Sequence, residues 1–467
     1  METNSKRELF EKMPVPKALA TMAIPTIISQ LINLIYNVVD TFFIGRTGNS
    51  YMMAGVTVSF TLFMLTIAFG NLFGIGGGSL MARLIGQHRD EDAQHVSAFA
   101  VYGCVLLSLA YGLFVYVFQT PLLTLLGASL YTMEYAKQYV LLVVVLGSLP
   151  TILSAVLAHL LRNVGYSRQA SKGLSGGGLL NIILDPLFMF VLLPHGMEVF
   201  GAALATLLSN VIACIYLIIV FLRLSGKAPV SLRLSELHKV SGSQIRGLFS
   251  VGIPSAILTG LFDVANIFLN AQMAVHGDLQ LAAIGIVMKI ERLPNAINIG
   301  ICQGMLPIVA YNFSSGNHTR MNAVIRCARK YGLLICFISM VLFEIFGGGV
   351  THIFLDTSGD SAADALATLA FATTFLRIRC LASPVQFLNY SSSYCMQGIG
   401  DGRDTMLHAV VRELVFYIPF MFILDRIFGE YGLASALPVG EACGAAFALF
   451  LLTRYIRKHA AVQQKKS

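Results

Sequence analysis

Long apolar runs alternate with short polar connections from one end of this chain to the other. A run of about 20 apolar residues spans the hydrocarbon core of a bilayer as a helix. Runs of that kind fall at approximately 18–45, 52–80, 93–119, 136–160, 173–194, 199–223, 247–275, 280–308, 330–350, 362–393, 406–428 and 432–455. The pattern predicts twelve membrane-spanning helices and an all-α polytopic membrane protein. An even number of spans places both termini on one side.

The polar connections give the orientation, because cytoplasmic loops collect Lys and Arg. One set holds Lys6, Arg7, Lys12, Lys17, Arg83, Arg89, Arg162, Arg168 and Lys172. Continuing along the chain, it also holds Arg223, Lys227, Arg233, Lys239, Arg246, Arg320, Arg326, Arg329, Lys330, Arg403, Arg412 and the basic tail through Lys458, Lys465 and Lys466. The opposite set offers little beyond Arg46, Lys137 and Arg426. Both termini are therefore expected in the cytoplasm, with the chain in the plasma membrane.

Composition agrees with a membrane protein. Of 467 residues, 56% are apolar and only 12% charged, against about 25% charged in soluble domains. The net charge of +8 lies between apolar segments and forms no contiguous patch, so nucleic acid is not an expected partner. The eight cysteines include no CxxC pair and most lie within apolar runs, where they act as small apolar residues. GIGGGSLMARLIGQ has no preceding strand and no following GK[ST], so it reads as close helix packing and not as a phosphate loop.

The polar linker near the middle separates two similar halves. AIPTIISQLINLIYNVVDTFFIG aligns with GIPSAILTGLFDVANIFLNAQMA, pairing Pro25 with Pro254. IGQHRDEDA aligns with SGNHTRMNA, and RNVGYSR with QGIGDGR, at offsets of 229 to 235 residues. Six spans per half give parallel repeats, an architecture that secondary transporters use to rock around a site between the lobes. The expected organisation is an N-terminal tail (1–17), an N-lobe (18–223), a linker (224–246), a C-lobe (247–457) and a basic tail (458–467).

Asp40 is the only charge between Lys17 and Arg46. A carboxylate at the centre of a span costs roughly 2.5–3.5 kcal/mol on insertion scales and marks a functional site by default. The first span also carries Gln30, Asn33, Tyr36 and Asn37, mostly on one helical face. The seventh span repeats the pattern with Thr259, Asp263, Asn266 and Asn270. Two polar stripes in corresponding helices predict a central cavity, since polar side chains facing lipid would be unsatisfied. In the fifth span Asn181 and Asp185 share a face before Pro186, and Thr206 follows in the sixth. Counting helical rise brings Asp40, Asp185 and Thr206 to similar depth. Such a group suits either a small hard cation or a shared proton. Lys289, Glu291 and Arg292 in the eighth span read mainly as a structural ion-pair network, with Arg377 and Arg379 snorkelling outward.

The VVDTFFIG end of the first span, GGSLMARLIGQ, NIILDP and GAALAT resemble the multidrug and toxic compound extrusion (MATE) family over almost the whole chain. The resemblance is strongest to the bacterial branch with an ion site in the N-terminal lobe. It implies cation coupling through Asp40, Asn181, Asp185, Ala202, Thr206 and Tyr36, with Na⁺ held by Asp40, Asn181, Asp185 and Thr206 if sodium drives transport. The other bacterial branch uses an acidic residue in the seventh span, close to Asp263. The expected activity is antiport of small cationic amphipathic compounds against Na⁺ or H⁺, by a monomer in the lipid bilayer with no other cofactor. The chain is not expected to be an enzyme: it has no HExxH, no GxSxG and no paired intramembrane histidines. The alternative is a flippase for a lipid-linked precursor, which predicts a more basic cavity.

Overall fold

A computed structural model describes residues 2–353 and 362–464, so Lys465 and Lys466 of the expected basic tail lie outside the described residues. A short helix α1 (Glu2–Glu11) precedes the first three spans, α2 (Val15–Gly45), α3 (Ser50–Gly86) and α4 (Asp90–Val117). A further short helix, α5 (Gln119–Leu125), leads to the fourth span, built from α6 (Met133–Val140), a π-helical segment (Leu141–Leu146) and α7 (Ser148–Asn163). The fifth span is α8 (Ser167–Leu187) with a π-helical end (Phe188–Leu192), and the sixth is α9 (Glu198–Leu224). Beyond the linker come α10 (Gly242–His276), α11 (Asp278–Ser314) and α12 (His318–His352). The tenth span is α13 (Ala362–Cys380) and α14 (Ser383–Ile399). The eleventh is α15 (Gly402–Val410), a π-helical segment (Val411–Tyr417) and α16 (Ile418–Phe428), and α17 (Glu430–Gln464) is the twelfth. Among the described residues, ten helices are long and apolar enough to cross a membrane, and two bent pairs bring the total to twelve.

The repeat is visible in the irregularities. The fourth span bends by 45° and the tenth by 48°, at corresponding places. The fifth and eleventh spans both carry π-helical segments, and each has a proline close by, Pro186 and Pro419. A proline lacks the N–H that an i−4 carbonyl needs, so the backbone is freed to widen locally.

The lobes meet through two equivalent crossings. α3 packs on α10, and α2 packs on α11. Small residues let these backbones approach. A Cβ at Gly252 would lie 2.1 Å from the carbonyl oxygen of Leu72, and one at Gly304 would lie 2.6 Å from Cα of Ala23. The GIGGGS run serves the first crossing, where a Cβ at Gly76 would stand 2.5 Å from the carbonyl oxygen of Leu248.

The face that bears the linker is closed. Gln244 Nε2 donates to Asp92 Oδ1 at 2.7 Å, joining α10 to α4, and Ser79 Oγ donates to the carbonyl of Gln397 at 2.5 Å, joining α3 to α14. The linker is tied down by Ser231 N to Ser97 Oγ at 2.8 Å and Tyr102 Oη to the carbonyl of Leu232 at 2.7 Å. Helix α1 lies across both lobes at this face. Arg7 pairs with Asp90 at 2.5 Å, Phe10 stacks on Tyr311 with centroids 5.2 Å apart, and Arg320 donates to the carbonyls of Phe10 and Met13 at 2.6 and 2.5 Å.

Candidate functional site

Between the lobes lies a cavity of about 540 Å³. Its N-lobe wall includes Gln30, Asn33, Tyr36, Asn37, Asn181 and Thr206, and its C-lobe wall includes Thr259, Asp263, Asn266, Glu291 and Arg292. The two polar stripes therefore face one another as expected. Asn270 stands apart. It is exposed, one turn beyond Asn266 on the same helical face, and is not part of the cavity lining. Apolar side chains complete the lining, among them Leu34, Phe63, Met64, Phe262 and Met288. Asn71 Nδ2 donates to Thr259 Oγ1 at 3.0 Å and crosses the cavity from one lobe to the other.

Behind the N-lobe wall sits the oxygen cluster. Asp185 and Ala202 are fully buried, and Asn181 and Thr206 nearly so. Asn181 Nδ2 donates to Asp185 Oδ1 at 3.1 Å and to Thr206 Oγ1 at 3.3 Å. Helix α2 reaches this group because Gly178 of α8 has no side chain. A Cβ there would stand 3.0 Å from Ile32 and 3.3 Å from Tyr36. Asp40 lies within electrostatic reach of Asp185, and both carboxylates act on Tyr36 and on Tyr139 of α6. Ala202 packs with Ile44 and Met189 just beyond, fixing the end of α2 against the π-helical turn.

Three oxygens of this cluster are buried without a hydrogen-bond partner: Asp40 Oδ1, Asn181 Oδ1 and Asp185 Oδ2. Unsatisfied buried acceptors are costly, about 1–3 kcal/mol each and more when charged. A cation or a proton would satisfy them, so the residues fit either ion. Tyr36, Asn181 and Thr206 belong to both the cluster and the cavity wall, while Asp40 and Asp185 do not line the cavity.

The C-lobe wall departs from expectation in its ion pairs. Glu291 is held by Arg379 and not by Lys289, with Nε–Oε1 and Nη2–Oε2 both 2.9 Å. Lys289 is exposed and has no carboxylate at ion-pair distance among the described residues. Arg379 does not snorkel. The break between α13 and α14 turns it inward, where it is 3% exposed. Arg377, on the outer side of the same turn, is half exposed and lies 3.9 Å from Glu344. Arg292 faces Asp263. Arg412 is also no connection charge. It is buried in the π-helical segment of the eleventh span, 2.5 Å from Glu441 and 3.6 Å from Glu413. Asn389, His408 and Ser393 extend this network.

Sequence reasoning missed Tyr139, Asn71 and the Arg412–Glu441 pair. Tyr139 lies in an apolar run with no stripe to flag it. Glu413 and Glu441 were visible as intramembrane acids, and each called for a basic partner.

A family model described as MatE matches residues 25–187 and again 254–423, one copy in each half. Multidrug export protein MepA of Staphylococcus aureus (strain MRSA252) is 30% identical over 443 residues, covering 95% of this chain and 94% of that protein. The solved structure of a MATE protein in complex with MaL6 superposes with a TM-score of 0.89 at 23% identity, covering 97% of this chain and 98% of the other. A MOP superfamily transporter from Pyrococcus furiosus, described as having a binding pocket of reverse polarity, gives a TM-score of 0.89 at 23% identity, with 96% and 97% covered.

Proposed function

The chain belongs to the multidrug and toxic compound extrusion (MATE) family of membrane transporters, and we propose that it exports cationic amphipathic compounds in exchange for Na⁺ or H⁺. The observation that carries this reading is the set of unpartnered oxygens on Asp40, Asn181 and Asp185, one wall away from the cavity. The membrane would be the bacterial plasma membrane, with both termini cytoplasmic and the monomer as the working unit.

In this reading the cavity takes the substrate's apolar body against Phe63, Met64, Phe262 and Met288, and its positive group near Asp263. The coupling ion binds at Asp40 and Asp185, with Asn181 and Thr206 supplying neutral oxygens. Two carboxylates on different helices repel each other when both are charged and bare. An ion between them removes that repulsion and favours a closer packing of α2 on α8. Tyr36 moves with α2, so the cavity wall changes when the ion binds. The ion needs only differential affinity for the two arrangements of the lobes to shift their populations.

The flippase alternative predicts a basic cavity, and four arginines do line this one: Arg162, Arg292, Arg379 and Arg412. Arg379 and Arg412 are ion-paired with Glu291 and Glu441, and Arg292 lies within electrostatic reach of Asp263, which leaves a nearly balanced wall and favours the antiporter.

The test is transport by the purified protein in liposomes under an imposed Na⁺ or H⁺ gradient. Asp40→Asn and Asp185→Asn should each abolish gradient-driven accumulation while retaining substrate binding. Undiminished coupled transport by both variants would refute the coupling role.

A further inference from the structure

Of the four lining arginines, Arg379 and Arg412 are ion-paired and Arg292 lies within electrostatic reach of Asp263, whereas Arg162 has no carboxylate at ion-pair distance among the described residues. It is 3% exposed, its Nε has no hydrogen-bond partner among the described residues, and Nη1 makes a long contact to Gln303 Oε1 at 3.3 Å. It stands in the last turn of α7, whose C-terminal carbonyls offset part of its charge. Helical side chains lean toward the N-terminus, so Arg162 reaches back along α7 and lines the cavity beside His159, Gln303 and Tyr394. A buried guanidinium with free donors is costly unless an acceptor is brought to it.

We propose that Arg162 is an anion subsite on the cavity floor, and that the preferred substrates carry a carboxylate as well as a positive group. This rests on the antiporter reading and sharpens its substrate class from cations to zwitterionic amphiphiles. The carboxylate accepts from the Arg162 guanidinium, and Tyr394 stands beside it as a neutral donor. The positive group of the same molecule lies toward Asp263, on the opposite lobe. A substrate so placed joins α7 to α10 across the cavity.

The matched probes are tetramethylrhodamine with its free carboxylate and tetramethylrhodamine methyl ester, which differ only in the methyl group that caps that carboxylate and removes its charge. Binding to the purified full-length protein is read by fluorescence anisotropy without any gradient. The wild type should bind the free carboxylate about tenfold more tightly than the ester, the scale of a charge-assisted hydrogen bond. Arg162→Gln should erase that preference by lowering affinity for the free carboxylate to that for the ester, and Arg162→Lys should keep part of it. Gln303→Leu removes the cross-lobe contact while keeping Arg162 and should preserve the preference. Equal affinity of the wild type for both probes would overturn the proposal. So would an Arg162→Gln variant that loses both probes equally, which would make Arg162 a fastener between lobes. Failure of coupled transport would leave this binding preference intact, so the two readings fail separately.

Discussion

Glu291 and Arg379 form a bidentate pair in the cavity wall, and their strength as partners is also a vulnerability. Removing one member of a buried pair leaves an uncompensated charge, at about 3–5 kcal/mol. Glu291→Gln should therefore lower the thermal unfolding midpoint in detergent well below wild type, whereas the double replacement Glu291→Leu with Arg379→Met should recover most of it. Midpoints at a single scan rate give the ranking even if unfolding is irreversible. A double variant no more stable than the single one would show that the pair does more than neutralise itself. At this scale the sequence was only partly legible. Asp40, Asn181 and Asp185 were readable because a polar group in an apolar span has few explanations. The partner of Glu291 was not, because the nearest cations along the helix, Lys289 and Arg292, lie on other faces. Arg379 reaches it only through a break 88 residues away along the chain.

At the scale of the elements, the span pattern was readable almost throughout, because bilayer thickness imposes a length that periodicity and composition must satisfy. The bends in the fourth and tenth spans were not, since both continue as apolar runs across the break. The glycines of the lobe crossings have a sharper consequence. A Cβ at Gly304 meets the backbone of Ala23, and one at Gly252 meets that of Leu72, so neither neighbour can give way by rotating a side chain. Gly304→Ala and Gly252→Ala should each separate a crossing and disfavour closure of the linker face. Spin labels at the exposed positions Leu130 and Ile427, one in each lobe on the far face, would report this as shorter distances between them. Unchanged distance distributions in both variants would show that the crossings tolerate a methyl group and do not set the closed state.

Over the whole molecule, a duplicated scaffold carries an unduplicated chemistry. Asp40 corresponds to Leu269, buried in the C-lobe core, and aligning Pro186 with Pro419 sets Asp185 opposite Ile418. The C-lobe instead neutralises its carboxylates internally, Glu441 with Arg412 and Glu291 with Arg379. In the proposed mechanism, ion binding in the N-lobe therefore has to move a joint that both lobes share. Helix α1 spans that joint, held by Asp90 on the N-lobe and by Tyr311 and Arg320 on the C-lobe. Nothing in its charged sequence marks it as a strap, because the contacts it makes are more than 80 residues away. Cys302 and Cys395 lie fully buried, next in sequence to the cavity-lining Gln303 and Tyr394, in the same apolar cluster as Leu9 and Phe10 of α1. Deleting residues 2–13 should raise their labelling by a membrane-impermeant maleimide added at the linker face by several-fold, read by mass spectrometry, as expected when a local opening becomes easier. Labelling that stays at the wild-type level would mean that α1 rests on a floor already closed by the α2–α11 and α3–α10 crossings. The barrier to opening on that side would then reside in the glycine contacts alone.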